Sequence, residues 1–284
     1  MKKFLLLMLP VMALCLASCE RWMDDSPIIQ FKDPYFLEAA LNGGCDGDGY
    51  STGETKVDKN GDGQISEKEA SVVKGLYLSL GERIRNLDEI KYFTALTYLD
   101  CGSNQLTSLD LSNNTALTNL YCSNNQLTSL DLSNNTALTN LHCGYNQLTS
   151  LDLSNNTALI ELGCEGNQLT SLDLSNNTAL IELGCHYNQL TSLDLSNNTA
   201  LTYLDCGSNQ LTSLDLSNNT ALTNLYCGSN QLTSLDLSNN TALTNLYCSN
   251  NPLQKLILYK YHLVEYDMMS DIELEYGDII EYVD

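Results

Sequence analysis

From Leu96 to Leu258 the apolar positions recur in one fixed rhythm, with Leu117, Leu120, Cys122, Leu127, Leu130, Leu132 and then Leu138 marking one full period of 21 residues. The spacing fits no long helix and no long strand. Each period holds two short alternating pairs (Leu120 with Cys122, Leu130 with Leu132), separated by Asn-, Ser- and Thr-rich turns. The pattern predicts one short strand per unit, and a second on the opposite wall. Eight units begin at Leu96, Leu117, Leu138, Leu159, Leu180, Leu201, Leu222 and Leu243. A period this constant cannot belong to one mixed core. It predicts a β-rich solenoid of stacked 21-residue coils that bury the same positions in every turn. Such a stack is a surface, not a pocket.

The pattern also bounds the regions around the stack. Residues 76–258 read as the solenoid, opening irregularly with Leu76, Leu78, Ile84, Leu87, Ile90 and Phe93 turned inward. Residues 259–284 form an acidic, Tyr-rich segment with alternation at Ile272–Tyr276, expected as a β-rich C-terminal cap. Residues 31–75 are expected as a helical N-terminal cap. There Asp33 is a good N-cap, Pro34 suits the first helical position, and Phe36, Leu37, Ala40 and Leu41 share a face. Asn42-Gly43-Gly44 ends that helix.

Leu-x-x-Leu-x-Cys-x-x-Asn-x-Leu, as in Leu117 to Leu127, is the leucine-rich-repeat signature with cysteine in its allowed place. The asparagine should satisfy backbone groups where each coil turns. Leu96 to Leu258 resembles the cysteine-ladder leucine-rich repeats of the internalin J type, sharing Leu-Thr-x-Leu-x-Cys-x-x-Asn-x-Leu-Thr-x-Leu-Asp-x-Ser-x-Asn almost throughout. The resemblance implies a curved solenoid with a concave binding face, and a role in adhesion or host contact. The chain departs from internalins in the lipid anchor expected at Cys19 and in showing no visible immunoglobulin-like domain after the repeats.

Within the repeats, Asn-Gln-Leu-Thr-Ser-Leu-Asp-Leu-Ser-Asn-Asn-Thr-Ala-Leu recurs seven times unchanged, and variation falls beside the first strand. Three outward columns are expected to line the concave sheet. The first holds Tyr98, Asn119, Asn140, Glu161, Glu182, Tyr203, Asn224 and Asn245, and the second Asp100, Tyr121, His142, Gly163, Gly184, Asp205, Tyr226 and Tyr247. The third holds Ser103, Asn124, Tyr145, Gly166, Tyr187, Ser208, Ser229 and Asn250. Tyrosines there suit recognition, since they present rigid area with a polar tip. The expected partner face is Tyr121, His142, Tyr145, Glu161, Glu165, Glu182, His186 and Tyr187. Its acidic middle, opened by Gly163 and Gly184, suits a cation or a basic partner group.

The eight ladder cysteines, Cys101 to Cys248, have two readings. An exported chain favours disulfides, but neighbouring coils place equivalent Cβ atoms about 4.8 Å apart, wider than a disulfide prefers. Buried thiols are the expected state. On the other wall, Asp110, Asp131, Asp152, Asp173, Asp194, Asp215 and Asp236 form a like-charged ladder, so each should bond a nearby hydroxyl or amide.

Residues 58–69 read Asp-Lys-Asn-Gly-Asp-Gly-Gln-Ile-Ser-Glu-Lys-Glu, an EF-hand calcium loop at every diagnostic place. Asp58, Asn60 and Asp62 supply side-chain oxygens, Gln64 its carbonyl, and Glu69 a bidentate carboxylate. Gly63 makes the sharp turn, Ser66 stands at the ninth position, and Ile65 packs the loop onto the fold. Ca2+ is thus the expected cofactor, weakly bound and stapling the N-terminal cap. Asp46-Gly-Asp48-Gly is not a second loop, because Tyr50 stands where a ligand should be.

The N-terminus opens with Lys2-Lys3 and an apolar run from Phe4 to Leu14, then Leu16-Ala17-Ser18-Cys19. Residues 1–18 read as a signal peptide. The site resembles a bacterial lipobox that acylates Cys19, with 19–30 a tether. Lipobox, calcium loop and repeats in this order resemble surface lipoproteins of gut and oral Bacteroidetes. The expected place is the outer membrane or cell surface of a gram-negative bacterium, held by lipid alone. The 13 Lys+Arg against 35 Asp+Glu, a net charge of -22, argue against nucleic acid. No Ser-His-Asp, Cys-His or metal-hydrolase arrangement stands out. The sequence therefore reads as a monomeric, non-enzymatic adhesin-like binder of a protein or glycan, with a structural spacer as the alternative.

Overall fold

The computed structural model describes residues 24–42, 44–45, 56–79, 83–260 and 276–283. The expected signal peptide, Cys19, Tyr50 and the Ile272–Leu274 stretch lie outside these residues.

The repeats form a stack of about nine coils around a continuous leucine core. The first helix, α1, spans Pro34–Asn42, and a two-residue strand, β1, spans Gly44–Cys45. A short helix, α2 (Glu67–Ser71), leads into β2 (Gly75–Tyr77). Each coil then contributes one short strand: β3 (Tyr98–Asp100), β4 (Asn119–Tyr121), β5 (Asn140–His142), β6 (Glu161–Gly163), β7 (Glu182–Gly184), β8 (Tyr203–Asp205) and β9 (Asn224–Tyr226). After these come β10 (Ser234–Leu237), β11 (Asn245–Tyr247), β12 (Lys255–Tyr259) and β13 (Ile280–Val283). One ten-stranded sheet runs β1 to β9 and then β11, parallel except for the β1–β2 pair. Its register advances by one coil per strand, so Leu99, Leu120 and Leu141 stack in line. Only sequence-equivalent residues meet across coils, and a core position in one unit is a core position in all. Leu159, Leu162, Cys164, Leu169, Leu172 and Leu174 are accordingly all buried. The irregular first coil behaves alike, with Leu76, Leu78, Ile84, Leu87, Ile90 and Phe93 buried.

The opposite wall differs from the expectation. Leu-Asp-Leu segments put their leucines inward in every coil, but only β10 forms a strand, pairing in parallel with β12. The pairing reflects the end of the stack. Leu256 and Leu258 occupy the Leu235 and Leu237 places of the next coil, and β13 continues beyond them in parallel. Tyr276 is buried there, with its hydroxyl 3.1 Å from the Asn251 N–H and donating to the Asn251 carbonyl at 3.0 Å.

Two asparagine ladders fix the coil turns. Asn167 accepts the Leu148 N–H at 3.0 Å and donates to the carbonyls of Cys143 and Cys164, both at 3.1 Å. One side chain thus ties two coils, as the repeat signature requires. In the second ladder, Asn156 donates to Leu132 and Asn135 carbonyls at 3.1 and 2.9 Å, while its own oxygen has no partner.

At the N-terminus, Asp33 caps α1 through the Tyr35 N–H at 2.9 Å and also accepts the Arg85 and Asn86 N–H groups. Phe36 packs between Phe31 and Phe93, welding the helix to the first coil. Within the expected tether, residues 27–29 dock on the 58–69 loop. Ile29 is buried and its N–H donates to the Ile65 carbonyl at 2.9 Å, while Glu67 N–H donates to Pro27. Apolar Ile28 and Ile29 give this stretch a surface to lose to the 58–69 loop, so it docks. Among the described residues no helix is long and apolar enough to cross a membrane.

Candidate binding face and calcium loop

The ten-stranded sheet turns its middle residue inward and its flanking residues outward in coil after coil, which places the first two variable columns on one face. Rings stack along it. Tyr98 and Tyr121 centroids lie 5.4 Å apart, and Tyr121 lies 5.0 Å from His142 at an interplanar angle of 13°. Farther along, Tyr203 and Tyr226 lie 5.7 Å apart. The aromatic run is interrupted at Gly163 and Gly184, which pair with each other in β6 and β7.

Two histidine–carboxylate pairs border this gap. His142 Nε2 lies 2.8 Å from Glu161 Oε1, and Asn140 donates to Glu161 Oε2 at 2.6 Å. His186 Nδ1 lies 3.1 Å from Asp205 Oδ2, a charge contact without hydrogen-bond alignment. The Asp205 carboxylate, with Glu165 nearby, raises the His186 pKa above its ordinary value against the opposing effect of burial. Glu165 folds back over Gly144, where a Cβ would overlap its carboxylate. A Cβ on Gly163 would stand 2.8 Å from His142 Nδ1 and 3.1 Å from Glu165 Oε2. The glycines are the space these side chains use.

The third column is not on the strands. Ser103, Asn124, Tyr145, Tyr187, Ser208, Ser229 and Asn250 all have positive φ, as does Gly166. They sit in the turn that follows each strand, and Tyr145 N–H still reaches the Glu165 carbonyl of the next coil at 2.7 Å. Tyr145 and Tyr187 therefore stand at the rim of the sheet, 48% and 61% exposed. Left-handed backbone suits Gly and Asn and strains a bulky side chain. The mixture of Gly, Asn and Ser in this column was the sequence signal for it. Tyr121, His142, Glu161 and Glu182 lie on the sheet itself, and Glu165 and His186 follow directly after its cysteines. All eight expected residues thus fall on the sheet or its adjoining rim.

The cysteine column is held as eight buried thiols. Burial raises the pKa of the thiols from Cys101 to Cys227, pushing Cys206 up to about 12. On the other wall each aspartate accepts the N–H two residues on, as Asp152 does from Ser154 at 2.9 Å. These contacts hold Asp110 through Asp215 below the usual carboxylate range, which explains how like charges are tolerated in a row.

In the 58–69 loop, Asp58 accepts N–H groups of Gly61, Asp62 and Gly63, and Asp62 accepts that of Gln64. Gly63 has φ +79°, as the sharp turn requires. Glu69 is buried, accepts Lys59 N–H at 2.8 Å, and closes a capping box with Ser66. Ile65 is buried as expected. Among the described residues no three His, Cys, Asp or Glu side chains converge as a metal cluster. The donor chemistry of Asp58, Asn60, Asp62, the Gln64 carbonyl and Glu69 is nevertheless all hard oxygen, the set a calcium ion takes.

No family model and no curated protein matches the chain. Solved structures do match. The functional domain of InlJ from Listeria monocytogenes, which includes a cysteine ladder, aligns at 42% identity and TM-score 0.64, covering 69% of this chain and 46% of that one. An LRR protein of Leptospira interrogans aligns at 25% identity and TM-score 0.62, covering 68% of this chain and 53% of its own. The LRIM1/APL1C complex gives 28% identity and TM-score 0.58 over 69% of this chain and 39% of the other. The chain spans about half the length, or less, of these proteins. In fold, it is an internalin-like leucine-rich-repeat solenoid carrying a cysteine ladder.

Proposed function

We propose that the protein is a lipid-anchored surface protein of a gram-negative bacterium that binds a macromolecular partner, protein or glycan, through the outward face of its long sheet. One observation carries this reading: the residues that differ between coils gather on the sheet and its rim, while the opposite wall repeats unchanged. Among related folds, the LRIM1/APL1C structure is itself a complex of proteins. In this reading Cys19 bears the lipid, residues 58–69 hold Ca2+, and the bound ion braces the segment that joins anchor to repeats. No catalytic chemistry is assigned to the face. Near-identity of the units favours a second reading, a spacer that only supplies length.

Eight coils at about 4.8 Å give a face roughly 40 Å long, enough for a standard protein interface or several sugar residues. The detergent-solubilised chain should be used to capture partners from host matrix proteins and glycans. Tyr145→Ala with Tyr187→Ala should weaken capture while Asp152→Ala leaves it intact. Loss in the Asp152 variant alone, with the tyrosine pair silent, would place binding on the other wall. Cys19→Ala should leave an unprocessed precursor; normal cleavage and release of that variant would remove the lipid anchor from the reading.

A further inference from the structure

Residues 26–29 run as a short strap along the end of the 58–69 loop. Ile28 and Ser66 form an isolated antiparallel β-bridge. On its two sides the Ile29 N–H donates to the Ile65 carbonyl and the Glu67 N–H to the Pro27 carbonyl, both at 2.9 Å. The Lys68 N–H donates to Ser26 Oγ at 3.2 Å. Ile29 and Ile65 are both buried. The strap therefore grips Ile65 to Lys68, the stretch that lies between two of the expected Ca2+ ligands, the Gln64 carbonyl and the Glu69 carboxylate.

A side-chain link joins the same two segments. Ser66 Oγ lies 2.9 Å from Glu69 Oε2 and also bonds Asp24 Oδ2, while Asp24 Oδ1 accepts the Ser26 N–H at 3.0 Å. The Ser66 hydroxyl has one proton for two carboxylates. With no ion on Glu69, the two acids compete for that proton and repel each other across one oxygen atom. A Glu69 carboxylate that holds Ca2+ is neutralised and has fewer lone pairs to offer, so the hydroxyl turns to Asp24 and the repulsion is relieved. Both effects favour the docked strap when the ion is held. Such coupling is reciprocal, so the docked strap must raise Ca2+ affinity by the same factor. The bridge supplies a structural route for this, because it fixes the backbone between Gln64 and Glu69 before any ion is bound.

We infer that residues 24–29 are a part of the calcium site although they stand outside its loop: Asp24 positions Ser66 and Glu69, and Ca2+ occupancy fastens the strap to the N-terminal cap. This rests on the calcium reading of residues 58–69 and extends it to residues that the loop motif does not contain. In the lipid-anchored reading, the ion then governs how firmly the chain on the anchor side is held to the repeats.

The test uses the full chain in detergent with Ca2+ alone, read by calorimetry and by hydrogen exchange of the Ile29 amide. Saturating Ca2+ should slow Ile29 exchange about tenfold. Asp24→Ala should weaken Ca2+ binding about three- to tenfold and cancel most of that slowing. Asp25→Ala removes the same charge from the exposed neighbour and should weaken Ca2+ binding less than about twofold. Unchanged thermal unfolding of both variants establishes that they fold. Ca2+ binding with an unchanged Ile29 rate would overturn the coupling and leave the calcium loop standing. Equal losses in the Asp24 and Asp25 variants would reduce Asp24 to its net charge and overturn its positioning role. No heat of Ca2+ binding in the parent chain would remove the calcium loop and this inference with it.

Discussion

Truncating one asparagine from each ladder tests the account of what holds the coils together. Asn167→Ala removes the acceptor of the Leu148 N–H, a buried group with no other partner for that donor. It also removes bonds to the Cys143 and Cys164 carbonyls, but those keep Asn146 and Asn188 respectively. One orphaned buried N–H costs about 1–3 kcal/mol and each lost bond to a still-paired carbonyl about 0.5–1 kcal/mol, so the variant should lose about 2–5 kcal/mol. Asn156→Ala is the same truncation with different accounts. Leu132 and Asn135 carbonyls keep the Asn135 and Leu138 N–H groups, and the partnerless Asn156 oxygen disappears with the side chain. Its cost should be about 0–2 kcal/mol, smaller even though Asn156 is more buried than Asn167. Both leave a similar void, so their difference isolates the hydrogen bonds. Urea unfolding of the two variants and the parent, with equal m-values, supplies the comparison. Equal losses, or a greater loss at Asn156, would refute the reasoning, because burial alone would then set the cost.

Cys164→Ser should destabilise more than Cys164→Ala, by about 1–3 kcal/mol, because the hydroxyl is buried where a thiol needs no strong bond; mass spectrometry finding bridges between neighbours such as Cys122 and Cys143 would contradict the thiol ladder. Native thiols should resist a colorimetric reagent, with the eight ladder groups appearing only on unfolding. Calorimetry should find one weak Ca2+ site that Glu69→Gln greatly weakens, since glutamine retains the capping box but not the charge. Unchanged heats would remove the site. His186 is raised in the folded state, so its contact with Asp205 stabilises fully below the unfolded pKa near 6.5 and fades as pH climbs through the folded value. NMR titration of the His186 ring should therefore show a midpoint above 6.5 that Asp205→Asn lowers, and an unmoved midpoint would dismiss the pair.

Much of this architecture was legible because a repeat reads itself many times. Leucines at fixed offsets could bury together only by stacking, and even the irregular Leu76 to Phe93 stretch declared its inward side. The second strand was misread because Leu-x-Leu alternation reports which side faces in, not whether neighbouring backbones approach closely enough to pair; only β10 and β12 do. The third column was misplaced for a related reason. Side-chain variation marks exposure, whereas the left-handed turn is a property of φ that only the tolerance of Gly and Asn there hinted at. Glu165 lying across Gly144, and Asp33 reaching Arg85 and Asn86, depend on how segments far apart in sequence meet. No pattern within one unit encodes those contacts.

Because each turn asparagine bonds its own coil and the one before it in the same way, every joint in the stack is interchangeable with every other. Excision of 21 residues at any joint would bring together two surfaces already made for each other, and insertion would do the same. Length is therefore nearly free for this protein to vary by recombination between copies of its own gene, with no intermediate that folds badly. What such an exchange would alter is the order of Tyr, His, Glu and Gly along the outside. A population could thus shuffle the pattern its outer face presents as whole cassettes, while the scaffold stays the same.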